Sequence, residues 1–296
     1  EEALRLDPRN RRAAILLARI YRDRGAWEDV ARVLEIMATD LPSRDERFAA
    51  LIRLARVVVR RLGNDARGAA AYERALDLAP GYAEAMGFLS DFFGRNERWE
   101  HLVAMYEDQL KASGYKPGQE IGIWLQIAMT QWRMRDRADL AEPYFDKVRR
   151  SEPAHLGMLN FYREFCEKSG DIGRLMSILT DAQRSLTDGE QKAAIGTEIA
   201  KLAETREDAG KAIEQYKVLL RQDPDIHDAR ASLKRLYRQT EAWSPLVDLL
   251  RQELERVGAD DREARLEVLR EIAAIYRDKI KSDSALVTVL NQILQL

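Results

Sequence analysis

Tyr72, Tyr144 and Tyr216 stand 72 residues apart, and so do Pro8 and Pro80. A second series, Tyr21, Phe93, Phe165 and Tyr237, keeps the same step of 72. A third runs Trp27, Trp99 and Trp243, with Ile172 near the vacant position, and a fourth runs Ala55, Ala128, Ala200 and Ala273 in steps of 73, 72 and 73. Four series with one period mean that a structural unit recurs along the chain, and a recurring unit narrows the choice of fold more than any local motif. Seventy-two residues exceed the roughly 34–47 residues of a single helical repeat, so the unit is a double one. Its first half carries the Tyr21 and Trp27 series, its second half the Ala55 and Tyr72 series. The expected units are 9–80, 81–153, 154–224 and 225–296, and residues 1–8 read as the end of a preceding helix.

The local pattern is helical throughout. Leu17, Ala18 and Tyr21 share one face at i, i+1 and i+4, as do Tyr72, Ala75 and Leu76 on a later segment. Pro80 and Pro224 end their segments because proline cannot continue a helix. Ser244-Pro245 reads as an N-cap followed by proline at the first helical position. No sustained period-two run and no Asn-Gly turn suggests strands. The final helix is expected over Leu286 to Leu296.

The pattern resembles the tetratricopeptide repeat. A small residue and an aromatic mark helix A (Ala18 and Tyr21). Gly68, Tyr72, Ala75-Leu76 and Pro80 mark helix B, as do Ala212, Tyr216, Leu219-Leu220 and Pro224. The resemblance covers essentially the whole chain. It departs from the pattern where Tyr162 and Lys234 occupy the small-residue position, and Lys234 is expected to open the local helix contact or to reach out to water. It implies an all-α fold: a right-handed α-solenoid superhelix of about eight antiparallel helix pairs, with helix A lining a concave face. It also implies work by protein–protein interaction rather than catalysis.

Composition agrees. With 46% hydrophobic and 33% charged residues the chain is neither disordered nor a bundle of membrane spans, and a net charge of −2 gives no support to a nucleic-acid binder. The longest apolar runs fall well short of the ~20 residues that cross a bilayer. The lone Cys166 permits no intrachain disulfide and reads as a small buried hydrophobe. The arginine bias, with no lysine before Lys111, resembles proteins of GC-rich bacterial genomes. The compartment is expected to be the cytoplasm, with the periplasm as the alternative.

No catalytic or metal-binding constellation emerges. His101, His155 and His227 have no ligand partner at metal spacing, and no phosphate loop or nucleophile elbow occurs. No cofactor is expected. Gly- and Pro-rich connectors at Lys111–Glu120, near Leu186–Gly189 and at Val257–Asp261 read as spacers or contact loops.

The inward positions of the A helices give the candidate partner-binding residues Arg12, Arg19, Arg22, Arg56, Leu125, Met129, Trp132, Arg163, Lys201, Arg235, Arg238 and Arg277. An apolar middle between basic ends suits an acidic and apolar peptide or an amphipathic helix. The competing reading is that these arginines pair with carboxylates on neighbouring helices. The expected function is a scaffold in a multiprotein assembly. The alternatives are a regulatory or substrate-docking arm of a larger enzyme or envelope machine, and, third, an RNA-binding helical repeat. End-to-end association of copies through apolar termini is a further expectation.

Overall fold

The computed structural model describes residues 7–112, 118, 120–258 and 260–296. Most of the helix end expected at 1–8, most of the connector Lys111–Glu120 and one residue of the connector Val257–Asp261 lie outside the described residues. Among the described residues there are sixteen α-helices and no strand. The chain divides between Ser151 and Glu152 into two compact units. The first holds α1 (Arg11–Asp23), α2 (Trp27–Asp40), α3 (Arg44–Leu62), α4 (Asp65–Leu78), α5 (Ala83–Arg95), α6 (Trp99–Lys111), α7 (Glu120–Met129) and α8 (Ala138–Ser151). The second holds α9 (Leu156–Ser169), α10 (Ile172–Ser185), α11 (Gly189–Thr205), α12 (Ala209–Gln222), α13 (His227–Gln239), α14 (Trp243–Arg256), α15 (Arg262–Ile275) and α16 (Asp283–Gln295). Within each unit every helix packs chiefly on the helices before and after it in the chain. The fold is the all-α array of helix pairs read from the sequence: odd-numbered helices are the A members, even-numbered helices the B members.

Short polar side chains start many of these helices. Asn64, Asp171, Asp188, Asp208 and Asp261 each accept a hydrogen bond from the backbone N–H three residues on. Such caps satisfy an otherwise orphan donor and are worth about 1 kcal/mol each. The Trp27 series falls on the first residue of its B helices, and Ile172 takes that same place in α10. Ser244 and Pro245 likewise lie inside the first turn of α14, whose cap is Ala242. The last helix begins at Asp283, three residues earlier than expected.

The A-to-B turns share one device. Among the described residues, the one two places before helix B has positive φ in every pair: Gly25, Gly63, Glu97, Asp136, Gly170, Glu207, Glu241 and Lys281, with φ between 51° and 72°. The left-handed residue turns the chain so that the next N–H reaches back to the end of helix A. Ala26, Arg98, Asp171, Asp208 and Ala242 donate in this way to the carbonyl five residues earlier. This is the closure typical of helix C-termini.

Two A helices carry an extra residue in their last turn. α7 runs on into a π-helical turn at Thr130–Met134, and α15 does the same at Tyr276–Ile280. A π turn absorbs a one-residue insertion without ending the helix.

Each unit has its own core. In the first, Leu34, Leu51, Leu54, Ala55, Val58, Tyr72, Ala75, Leu89 and Phe93 are buried. In the second, Phe161, Tyr162, Leu179, Ile199, Ala200, Leu219, Leu246, Leu250 and Ile272 are buried. Gly68 marks a close helix approach: a Cβ there would lie 2.3 Å from Val59 Cγ2. Tyr162 is accommodated by full burial against Phe161 and Phe165. Lys234 neither opens its helix contact to water nor reaches out; its ammonium pairs with Glu253 on α14. Cys166 is buried. No helix among the described residues is long and apolar enough to cross a membrane.

Candidate partner-binding face

The candidate arginines lie on the A helices, and most of them are already engaged. Arg56 of α3 grips the carboxylate of Glu84 on α5 through two nitrogens, at 2.8 and 2.5 Å. Arg163 of α9 holds Glu198 on α11 in the same way, at 2.8 and 2.7 Å, and also donates to Asn160. Arg235 of α13 pairs with Glu204 on α11, and Arg238 with Glu271 on α15. Arg11 of α1 meets Glu46 on α3 at 2.9 Å. Ion pairs thus stitch successive A helices side by side within each unit. For Arg56, Arg163, Arg235 and Arg238 the arrangement is that of the competing reading, in which the arginine pairs with a carboxylate on a neighbouring helix. Arg56 and Arg163 make the bidentate form of this contact, which fixes the plane of the guanidinium.

Two of these pairs are built around a tyrosine. Tyr72 of α4 donates its hydroxyl to Glu84 at 2.9 Å, and Tyr216 of α12 donates to Glu204 at 2.9 Å. The charges are exchanged between the two. Around Tyr72 the arginine belongs to the helix A of the same pair and the glutamate to the next. Around Tyr216 the glutamate belongs to the same pair and the arginine to the next. Glu84 also accepts from Tyr82, and its carboxyl is drawn down to about 2, first by the hydrogen bonds from Arg56 and then by those from the tyrosines. Burial and the Glu84 acceptor push the Tyr72 phenol up to about 12.

The remaining candidates divide. Trp132 is 6% exposed, set edge-on to Phe145 at 5.8 Å with the Arg133 guanidinium 3.4 Å from its ring centre. It is a packing residue and not part of an open face. Trp132 sits in the π turn at Thr130–Met134, about one turn beyond the fully buried Ala128 and on the same side of the helix. Leu125 is half-buried and Met129 exposed. Among the described residues Arg22 pairs only with its exposed neighbour Asp23 at 3.2 Å, and Arg277 likewise with Asp278 at 2.7 Å. Arg12, Arg19 and Lys201 are exposed and form no ion pair among the described residues.

One cleft gathers several candidates. It lies between α1, α2 and α3 and encloses about 490 Å³. Val30, Leu34, Met37 and Val57 line it on the apolar side, with Ala18 and Trp27. Arg19, Arg22, Arg53 and Arg56 also line it, and no carboxylate does. Ile15 stands at its edge, 44% exposed. The Arg61 guanidinium lies 4.7 Å from the Trp27 ring centre and holds the indole in place. Sequence reasoning missed Arg53 and Val57. Their signal was present: Arg53, Arg56 and Val57 are one helical turn apart on α3, facing Arg19 and Arg22 on α1. Chemically the cleft offers desolvated apolar contact beside guanidinium donors. No group of three or more histidine, cysteine or carboxylate side chains among the described residues could hold a metal.

The fold is an all-α array of helix pairs whose sequence pattern resembles the tetratricopeptide repeat. No protein-family model matches the chain, and no curated protein matches it. Among solved structures it is similar to Naa15/Naa10 bound to HypK-THB, at 21% identity and a TM-score of 0.44, over 98% of this chain and 40% of the other. The C-terminal part of a TPR repeat-containing protein from Cytophaga hutchinsonii gives 15% identity and a TM-score of 0.42, over 73% of this chain and 84% of the other. YrrB, described as a TPR protein with an unusual peptide-binding site, gives 16% and 0.36, over 62% and 90%. The chain spans 40% of the length of the first of these.

Proposed function

We propose that this chain is a non-catalytic protein-interaction scaffold, and that the cleft between α1, α2 and α3 holds an acidic and apolar segment of a partner protein. The observation that carries this reading is the lining: an apolar floor beside four arginines and no carboxylate. Arg19 and Arg53, both exposed and without an ion pair among the described residues, supply the uncommitted charge, and Arg12 on the same helix as Arg19 extends it. Arg56 is fixed by Glu84 and serves as a rigid wall. Apolar anchors flanked by arginine are what interfaces favour at their energetic centres. Long-range attraction of an acidic segment raises its on-rate more than its final affinity. Leu125 and Met129, on α7, form a separate apolar patch that a longer segment could use.

The test is direct. Fluorescent peptides with alternating acidic and apolar residues, their Lys-substituted counterparts and scrambled controls are titrated onto the chain. The same set is titrated onto an Arg19→Glu/Arg53→Glu variant whose helicity and melting match the parent. Selective binding of the acidic peptides, weakened at least about tenfold in the variant, is the expected result. Equal binding of acidic and basic peptides, or no difference between variant and parent, removes the cleft as the working surface.

A further inference from the structure

Glu198 and Glu271 occupy one register of the repeat, each standing two residues before an alanine of the Ala55 series, Ala200 and Ala273. Each accepts an arginine from the preceding A helix: Arg163 of α9 holds Glu198, and Arg238 of α13 reaches Glu271. Counted in the same way from Ala55, the register in the first unit is Arg53. The donors are present there as well. Arg19 stands two residues before Tyr21, as Arg163 does before Phe165, and Arg22 follows Tyr21 as Arg238 follows Tyr237. At α5 and α7 the corresponding residues are Asp91 and Gln126. The α1–α3 junction therefore keeps the arginines of α9–α11 and α13–α15 and replaces their carboxylate with a further cation.

Two observations show that nothing within the described residues makes good this loss. Arg22 is engaged by Asp23 and Arg56 by Glu84, whereas Arg19 and Arg53 form no ion pair among the described residues, and both line the cleft that holds no carboxylate. α1 is also thinly held: Ala14 is its one buried residue, against six in α3. Arg11 and Glu46 tie the starts of the two helices at 2.9 Å, and among the described residues no ion pair joins them further along.

We propose that the partner segment in this cleft supplies the missing carboxylate: one glutamate side chain, seated between Arg19 and Arg53, completes the α1–α3 junction as Glu198 completes α9–α11. The inference rests on the cleft being the binding face and adds what the segment must carry there. A glutamate side chain, not a chain-terminal carboxylate, is what fills this register elsewhere in the chain. An apolar neighbour of that glutamate meets the floor of Leu34, Met37 and Val57. Binding thereby fixes α1 on α3, so the partner tightens the helices that recognise it.

The whole chain is titrated with capped nonapeptides that share one leucine–alanine frame and carry glutamate, glutamine or lysine at the centre. A fourth carries central glutamine and a free C-terminal carboxylate. The glutamate peptide is expected to bind at least about fivefold more tightly than its glutamine counterpart and to slow amide exchange in α1. Arg53→Glu builds the pair within the chain. Its melting temperature is expected to exceed that of Arg53→Gln by about 1 °C or more, a gain that Arg19→Gln/Arg22→Gln beside it abolishes. In Arg53→Glu the glutamate peptide loses its advantage. An advantage that persists there, no gain in melting over Arg53→Gln, or preference for the free C-terminus overturns the inference. If acidic peptides still bind selectively and Arg19→Glu/Arg53→Glu abolishes that binding, the cleft itself stands. No preference for acid in the parent removes both.

Discussion

Glu84 accepts four hydrogen bonds, two from Arg56 and one each from Tyr72 and Tyr82, and its environment makes a pH prediction with a definite sign. Its folded pKa of about 2 lies below the ordinary 4.5, so its contribution to stability is complete above pH ~4.5 and disappears as pH falls toward 2. Glu84 is 29% exposed and Arg56 45%, so solvent screens the pair and its worth is about 1 kcal/mol rather than the full value of the shift. Glu84→Gln is expected to lower stability by that amount at neutral pH and to match the parent near pH 2, as read by urea unfolding at a series of pH values. A constant difference across the range would refute the assignment. At this scale the sequence was only partly legible. Arg56, Arg163, Arg235 and Arg238 could be placed on A helices by counting. Their acceptors lie 28, 35, 31 and 33 residues away, and no local pattern names a partner at that range.

At the scale of the element, the A-to-B turn is the most uniform feature of the chain. It asks every pair for one left-handed residue, and only three pairs answer with glycine: Gly25, Gly63 and Gly170. Glu97, Glu207 and Glu241 meet the same demand at the cost of a Cβ contact of about 1 kcal/mol each. Glycine at any of these three positions is expected to raise stability by a few tenths to about 1 kcal/mol, because the relief of strain exceeds the extra freedom of the unfolded chain. Thermal melts of the three single variants check this, and a drop in melting temperature for all three would refute it. The reverse change, Gly170→Val, is expected to destabilise by more than that, since a β-branched residue tolerates positive φ worst. These turns were hidden in the sequence because glutamate and lysine do not announce a left-handed residue, whereas glycine does.

At the scale of the whole molecule, the 72-residue period carried nearly all the information about architecture. Tyr72 and Tyr216, and Trp27, Trp99 and Trp243, fall on equivalent places of their helices because the period counts helix pairs, and helix pairs are what fold. The cleft-lining positions were less visible, since a face is defined by which helices stand beside one another and by small shifts of helical register. Within each unit, packing between consecutive helices makes stability a sum of local terms. Leu89, fully buried on α5, tests this. Leu89→Ala is expected to cost about 2–5 kcal/mol and to speed hydrogen exchange in α4, α5 and α6 first, leaving α1 and α2 protected. Uniform loss of protection across the first unit would show instead that it melts as one block.

The π turn of α7 has a consequence for how such a chain can change over generations. Ala55 and Ala128 precede the first residue of their B helices by ten positions, whereas Ala200 does so by nine. The array therefore accepts a codon gained or lost at the junction of two helices, and the change is absorbed by a rearranged hydrogen-bond ladder and not by a shifted core. Excision of Met134, exposed at 56%, is expected to leave an ordinary α-helical end and keep the helix pair folded with Trp132 still packed on Phe145. Near-unchanged circular dichroism and tryptophan emission would register that outcome, and loss of the pair's helicity would refute it.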